Sequence, residues 1–408
     1  MLRRSALLAL AAVIGPGLLA GLSDDDPAGI TTYSILGAEE GYRLLWVLLL
    51  STVALIVFHD LGARLGVVTG QGLTGIVRER YGIRVGSVAL LALVLANLGT
   101  TCAEFAGVAV AGDLAGIPRY VSVPVAALAV SLLVLRGSFH RIEHVLLALS
   151  AVFIAYVASG LLAGPDWGAA ARGLTIPSLP LTHEAVLLAT ATVGTTLAPW
   201  GLAFIQSYAA DKRLSIEDLG LERIDVIVGS VMTGVIGFFV VVSCAATLHA
   251  SGREIDDAGD AAVALEPLAG KAASLLFGLG LLGAALLAAS ILPLSTAYSV
   301  SEAFGREAAL DDSFRDAPLF YGTYAGVVLA AVGVVLVPEA PLVPILYLTQ
   351  ALNAVLLLPL LVLMLGVARD PDVMGDQTTG RAGSAAAVAT IGLVALAVGT
   401  LALLTVLE

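Results

Sequence analysis

Gly15-Pro16-Gly17-Leu18-Leu19-Ala20-Gly21-Leu22-Ser23-Asp24-Asp25-Asp26-Pro27-Ala28-Gly29-Ile30-Thr31-Thr32-Tyr33 is an apolar run interrupted by three consecutive aspartates and a proline. A helix needs about 20 apolar residues to cross the hydrocarbon core of a bilayer. The pieces on either side, 5–22 and 30–36, do not make two such crossings. Together they make one broken span. Pro27 lacks a backbone donor and disfavours helix at Asp26, while Gly21 and Gly29 loosen the flanks. An extracellular loop between two short helices is the competing reading, and the short second piece argues against it.

An aspartate at the centre of a span costs roughly 2.5–3.5 kcal/mol on insertion scales. Such residues persist where they face a polar cavity and meet a counter-charge. No Lys or Arg falls within the membrane portion of any span, so a bound cation is the natural partner of Asp24, Asp25 and Asp26.

Working outward, the 408 residues are 59% hydrophobic and only 13% charged. A soluble domain carries about 25% charged residues, so the surplus apolar surface here must face lipid. A formal net charge of −12 leaves no basic stripe for a nucleic acid. The two cysteines, Cys102 and Cys244, sit far apart in apolar runs and read as buried free thiols. Arg3-Arg4 leads into an apolar run with no short core and cleavage site, which reads as the first membrane span and not as a cleaved signal peptide.

About eleven spans follow, at 5–36, 43–68, 84–112, 118–136, 143–163, 184–209, 223–249, 265–301, 318–337, 341–367 and 384–406. With the N-terminus placed in the cytoplasm, the outer face holds only Arg43, Arg119, Arg172, Arg253 and Lys271 of the 20 Lys and Arg. That bias obeys the positive-inside rule and puts the C-terminus outside, in the cell (inner) membrane. The acidic outer loop Glu254-Ile255-Asp256-Asp257-Ala258-Gly259-Asp260 reads as solvated. The 44 glycines suit close helix packing in lipid. The chain reads as a single membrane domain, expected to act as a monomer whose partners are lipid and an ion.

The sixth span is also broken, at Ala191-Thr192-Val193-Gly194-Thr195-Thr196-Leu197-Ala198-Pro199-Trp200-Gly201. Pro199 and Gly194 interrupt its ladder, which exposes carbonyls and turns half-helix ends inward. Thr195 and Thr196 add hydroxyl oxygens. An ordinary proline kink would read the same way. The two breaks, however, stand five spans apart in corresponding places. That is the pattern of an inverted-repeat transporter, with repeats over 5–163 and 184–367 and an extra helix at 384–406, and with the substrate held between the broken helices. The expected fold is therefore an all-α polytopic membrane protein of the leucine-transporter type.

These residues resemble the Nramp family of divalent metal transporters. Gly-Pro-Gly, Asp26-Pro27, Gly41-Tyr42, Leu44-Leu45-Trp46, Ala63-Arg64-Leu65-Gly66-Val67-Val68-Thr69-Gly70 and Arg78-Glu79-Arg80-Tyr81 recur in that family in this order. The resemblance implies metal ligands from an Asp-Pro-Gly-Asn motif and a Met-Pro-His motif. Asp26 and Pro27 match; the Asn position is Gly29, the Met position Ala198 and the His position Trp200. It further implies a carbonyl ligand at Thr195, a ligand at Gln350, and proton-path positions at Asn97, Glu104 and Gly107, of which only Glu104 is acidic. The family's arginines at the start of the ninth helix have no counterpart near Leu319-Phe320-Tyr321.

A thioether favours softer ions over Mg²⁺ and Ca²⁺, and Ala198 lacks one. The remaining donors are oxygens: Asp26, with Asp24 and Asp25 as further candidates, the Thr195 carbonyl and Gln350. Such sites suit Mg²⁺, Mn²⁺ and Ca²⁺. Gly29 and Ala198 are expected to widen the pocket for the waters that Mg²⁺ retains. This pattern resembles the Nramp-related magnesium transporters, and implies Mg²⁺ and Mn²⁺ uptake with weak or no proton coupling. A classical proton-coupled Mn²⁺/Fe²⁺ importer is the alternative.

His59-Asp60, in the second span, reads as a structural hydrogen bond in preference to a proton relay, although His59 stays a candidate for the latter. Ser295, Thr296 and Ser299 read as helix packing; His140, His144, His183 and His249 as interfacial; Trp46 and Trp167 as interface anchors. A carrier of organic solutes on the same scaffold is disfavoured by the triple aspartate. An enzyme is disfavoured by the lack of any nucleophile constellation, zinc motif or phosphate loop, and no cofactor is expected.

Overall fold

The computed structural model describes residues 21, 23–135, 155–255, 258–306 and 315–407. Residues 5–20 of the first expected span, 143–154 of the fifth, and His140 and His144 lie outside them. Among the described residues every regular element is helical. We label the principal helices α1 (Pro27–Glu40), α2 (Leu45–Thr69), α3 (Leu73–Tyr81), α4 (Ile83–Leu114), α5 (Arg119–Leu135), α6 (Ala155–Leu162), α7 (His183–Thr196), α8 (Pro199–Asp211), α9 (Leu219–Cys244), α10 (Ala273–Ala303), α11 (Pro318–Val335), α12 (Leu342–Ala368) and α13 (Arg381–Leu407). Short helices at Trp167–Thr175, Ala258–Val263 and Pro371–Met374 occupy connections that hydropathy alone leaves blank, and Glu266–Ala269 is a separate short helix at the start of the expected span 265–301.

Eight of these stretches are long and apolar enough to cross a membrane, with α7 and α8 counted together. Their surface pattern agrees. Val88, Leu91 and Leu95 of α4 are exposed, as are Val121, Val125, Leu128 and Leu132 of α5. Positions three and four apart share one helix face, so each set is a continuous apolar stripe pointing outward. A water-soluble protein does not present such stripes on helix after helix.

The polar residues point the other way. The small residues between them set how closely the helices approach. His59, Gly62 and Gly66 form one stripe on α2 that faces α8. A methyl on Gly62 would lie 2.9 Å from Ile205 Cγ2, and one on Gly66 would collide with the Gln206 carbonyl. Asp60, on another face of α2, pairs with Arg223 of α9 through Nε at 2.7 Å. The second span therefore contains no His59–Asp60 hydrogen bond: consecutive helical residues diverge by about 100°, and each takes a different neighbour.

Inside the bundle, α4 is tied to α10 by Asn97 Nδ2 donating to Thr296 Oγ1 at 2.9 Å. It is tied to α12 by Asn353 Nδ2 donating to Thr100 Oγ1 at 2.9 Å. Ser295 Oγ of α10 donates to the Trp200 carbonyl of α8 at 3.1 Å. In lipid there is little hydrophobic force between helices, and such cross-links add to packing as the adhesive. Thr296 and Ser295 thus act in helix contacts, as their sequence suggests. Cys102 and Cys244 are buried and free. His249 Nδ1 lies 2.8 Å from the Ala38 carbonyl, and His183 Nε2 lies 3.3 Å from Thr405 Oγ1.

Candidate functional site

Two helix interruptions meet in the middle of this bundle. At the first, Asp26 has extended backbone (φ −82°, ψ 172°) and caps α1, with Pro27 at the first helical position. Asp26 Oδ1 accepts the Gly29 N–H at 2.6 Å. A proline costs nothing at that position, because the first-turn N–H has no helical partner anyway. It does have a consequence upstream: Pro27 has no N–H to offer the carbonyl of Ser23, four residues earlier.

The second interruption repeats the chemistry. α7 ends at Thr196, Leu197 and Ala198 are non-helical (ψ 63° and 137°), and α8 begins at Pro199. The Leu197 N–H still reaches Val193 O at 2.9 Å. The Thr195 carbonyl would need the N–H of residue 199, and proline has none. Its oxygen is released by the sequence itself. The expectation that Gly194 helps to break this helix is corrected: Gly194 lies inside α7. Its missing side chain serves packing, because a methyl there would collide with the Gln350 carbonyl of α12.

The breaks are adjacent. A methyl on Gly29 would lie 3.3 Å from Thr195 Oγ1, 3.3 Å from Asp26 Oδ1 and 2.6 Å from the Asp24 carbonyl. Tyr33 Oη of α1 and Thr196 Oγ1 of α7 share a hydrogen bond of 2.8 Å. Gly29 therefore does not widen the pocket as expected from its small size. The Asp24 carbonyl fills the space, and glycine is what lets the chain fold back onto itself.

Asp24, Asp25 and Asp26 are 1%, 2% and 3% exposed, so the loop reading of this stretch fails. Both oxygens of Asp24 and of Asp25 are buried without a hydrogen-bond partner. No ion pair among the described residues touches any of the three; Arg43 pairs with Glu40, Arg80 with Asp370 and Asp372, and Arg223 with Asp60. The Thr195 hydroxyl is likewise buried and unpartnered. Unsatisfied buried carboxylates are among the most costly groups a fold can hold.

The carboxylates nevertheless splay. Asp26 turns toward Gly29, with Glu104 of α4 facing it, and both Glu104 oxygens are buried without a hydrogen-bond partner. Asp24 turns toward Gly201 of α8. Among the described residues no three His, Cys, Asp or Glu side chains converge as a ready-made metal cage. Glu104 is fully buried. One turn along α4, a methyl on Gly107 would lie 2.5 Å from Pro27 Cβ and Cγ. An acidic side chain cannot stand at 107 while the Pro27 ring does.

Ala198 and Trp200 are buried. Trp200 packs against Phe204, ring centroids 6.4 Å apart, and its indole N–H has no partner. Gln350 is buried beside the last turns of α7, but its Oε1 accepts from Asn353 Nδ2 at 2.9 Å and its Nε2 donates to Thr349 Oγ1 at 3.2 Å. Its side chain holds α12 and, through Asn353, α4, and makes no hydrogen bond to the aspartates.

A family model described as Nramp, natural resistance-associated macrophage protein-like, matches residues 17–404. The chain belongs to the Nramp family. Among its relatives, proteins named divalent metal cation transporter MntH from Burkholderia ambifaria and Ralstonia nicotianae are 32% and 34% identical to it over 290 and 284 residues. Those matches cover 69% and 66% of this chain, and 66% and 64% of the relatives, so the chain spans about two thirds of their length. These relatives are transporters, not enzymes. The Eremococcus coleocola manganese transporter has the same fold, with a TM-score of 0.77 at 19% identity over 95% of this chain and 85% of that one. The inward-facing conformation of Mhp1 superimposes with a TM-score of 0.56 at 15% identity, over 96% of this chain and 91% of Mhp1. The fold of this Nramp protein is thus the all-helical, leucine-transporter-type fold, with its broken helices where the sequence puts them.

Several residues of the Nramp protein escaped sequence reasoning. Tyr33, Thr100 and Asn353 are polar, buried and spent on joining helices. Their signal is present, since each is a polar residue in the middle of an apolar span, but their partners lie more than 160 positions away in the chain. Beyond the breaks, a cavity of about 520 Å³ opens at the far end of α8. Gly72, Ser207, Asp211, Tyr298 and Glu302 are among its walls. Glu302 there accepts from Ser207 Oγ at 2.8 Å and from Thr74 Oγ1 at 3.1 Å.

Proposed function

We propose that this protein carries divalent metal cations across the bilayer, with Mg²⁺ and Mn²⁺ as its substrates. The observation that carries this reading is the first helix break. Three consecutive carboxylates are buried there without a basic partner, against a second break whose proline frees the Thr195 carbonyl. Two positive charges on an ion offset what the protein leaves uncompensated. The names of the sequence relatives support the same substrate class.

The preference within that class follows from donor chemistry. Asp26, Asp24, the Thr195 carbonyl and the Thr195 hydroxyl are hard oxygen donors, and Ala198 offers no thioether. Hard donors favour Mg²⁺, Mn²⁺ and Ca²⁺ over softer ions. Because the carboxylates diverge, the ion keeps part of its water, as Mg²⁺ usually does. Asp25 completes the negative field without a defined contact to the second break. Gln350 Oε1 accepts one bond from Asn353 and keeps a second lone pair for the ion.

Proton coupling is weak or absent in this reading. Gly107 and Trp200 carry no titratable group, and Asn97 is engaged with Thr296. The ion then moves down its own gradient and the membrane potential. That potential contributes about 2.3 kcal/mol per charge per 100 mV, roughly double for a dication. With the arginine-rich face in the cytoplasm, the direction is inward and the C-terminus lies outside. A single chain contains both breaks, so a monomer suffices.

A second reading has one observation in its favour. Glu104 faces Asp26, and a carboxyl pair is a natural proton acceptor when metal binds or leaves. This supports a proton-coupled Mn²⁺/Fe²⁺ importer. Proteoliposome uptake separates the two. The first reading expects excess Mg²⁺ to suppress Mn²⁺ entry and the lumen to stay at constant pH. Mn²⁺ entry indifferent to Mg²⁺, with acidification in step with the metal, favours the second.

A further inference from the structure

His59 is fully buried on α2, and neither ring nitrogen has a hydrogen-bond partner. Asp60 does not engage it, being held on another face by Arg223. Glycines one and two turns further along the stripe, Gly62 and Gly66, bring α2 against α8, and this closeness aims the imidazole at the first turn of that helix. The point that a methyl on Gly201 would occupy lies 3.3 Å from His59 Nε2 and 3.6 Å from Asp24 Oδ1. Two unpartnered ligating atoms, one nitrogen and one carboxylate oxygen, thus face the same space, which stays open only because residue 201 has no side chain.

We propose that His59 Nε2 and Asp24 Oδ1 form a nitrogen–oxygen half-site over Gly201 that takes Mn²⁺ in preference to Mg²⁺. It rests on the reading that the protein moves divalent cations, and refines it by assigning a residue to ion selectivity. Imidazole is a ligand that Mn²⁺ accepts, whereas Mg²⁺ is bound by oxygen and water. The site that contains Asp26 and Thr195 offers oxygen alone, and Ala198 supplies no sulfur. His59 is then the donor that distinguishes the two ions. The splay of the aspartates gains a purpose: Asp26 serves the oxygen site between the breaks, and Asp24 turns away to share an ion with the imidazole. Water fills the remaining positions, and the Trp200 indole, buried and unpartnered one residue away, is a donor available to such a water.

The test uses the full chain and two variants. His59→Gln removes the nitrogen donor while keeping a polar side chain of similar reach. Gly201→Ala fills the shared space with a methyl at distances a small adjustment accommodates. Mn²⁺ and Mg²⁺ uptake are measured in proteoliposomes, and pulsed EPR of bound Mn²⁺ reads nitrogen coordination directly. The half-site predicts that each variant lowers the ratio of Mn²⁺ to Mg²⁺ uptake by roughly tenfold, the lower end of what losing a group around a metal site costs. It also predicts nitrogen-14 modulation of the Mn²⁺ signal in the wild type, lost in His59→Gln. An unchanged uptake ratio in both variants, or no nitrogen-14 modulation in Mn²⁺-loaded wild type, overturns it. A wild-type chain that takes up neither ion contradicts the transport reading instead, and the EPR comparison then still decides the half-site.

Discussion

At the scale of single residues, glycine carries much of the information, because at three positions the missing side chain is where another group sits. Gly107 faces the Pro27 ring, Gly194 the Gln350 carbonyl and Gly29 the Asp24 carbonyl. Overpacking a tight interior costs about 1–3 kcal/mol. Gly107→Ala is accordingly expected to lower the thermal unfolding midpoint in detergent by several degrees and to weaken metal binding by moving Pro27; a midpoint equal to wild type contradicts this. Gly29→Asn restores the side chain implied by the Nramp motif, yet its Cβ has to displace the Asp24 carbonyl. It is expected to reduce uptake of both Mn²⁺ and Mg²⁺, not to raise Mn²⁺ selectivity, as radiotracer competition will show. The chemistry of Asp24, Asp25 and Asp26 was legible in the sequence, since three acids in an apolar run without a basic partner have few alternatives. Their divergence was not, because it depends on Gly201, Gly29 and Glu104, which the chain delivers from elsewhere. His59 shows the same limit: proximity in sequence suggests Asp60, whereas helix geometry turns the imidazole toward Gly201.

At the scale of elements, the two breaks follow one rule. Each proline sits at the first position of a half-helix and withholds an N–H from a carbonyl four residues upstream, Ser23 in one case and Thr195 in the other. Pro199→Ala returns a donor at 199 and permits a continuous helix from α7 into α8. It is expected to weaken Mg²⁺ and Mn²⁺ binding by roughly tenfold or more, equivalent to about 1.4 kcal/mol, while leaving the far-UV circular dichroism that of a fully helical protein. Unchanged affinity would show that the Thr195 carbonyl takes no part. Each of the eleven expected spans falls on a described helix, wholly or in part, and the first parts of the first and fifth spans lie outside the described residues. Where a break falls inside a span was legible too, because proline and glycine act locally. The short helices at Trp167–Thr175 and Pro371–Met374 were not, because helices of nine and four residues carry too little periodicity to stand out.

At the scale of the whole molecule, the acidic breaks lie at the centre of the bundle, apolar stripes face outward, and a 520 Å³ cavity stands at the far end of α8. An ion moved without a coupled proton responds to its own gradient and to voltage, but not to a pH gradient. A potential of 100 mV, negative on the side to which the metal moves, changes the driving force on a dication by roughly 4.6 kcal/mol. Potassium-diffusion potentials imposed on proteoliposomes are therefore expected to accelerate Mg²⁺ entry, while a pH gradient alone leaves it unchanged; stimulation by the pH gradient would favour proton coupling through Glu104 and Asp26.

The central claim is that the carboxylates of the first break are a divalent cation site, and calorimetric titration of Mg²⁺ and Mn²⁺ into the purified protein and into Asp26→Ala tests it most directly. Saturable binding of both ions to the wild type, abolished or weakened at least tenfold in the variant, is the predicted result. Equal affinity in the two proteins, or no binding to the wild type at all, would contradict it.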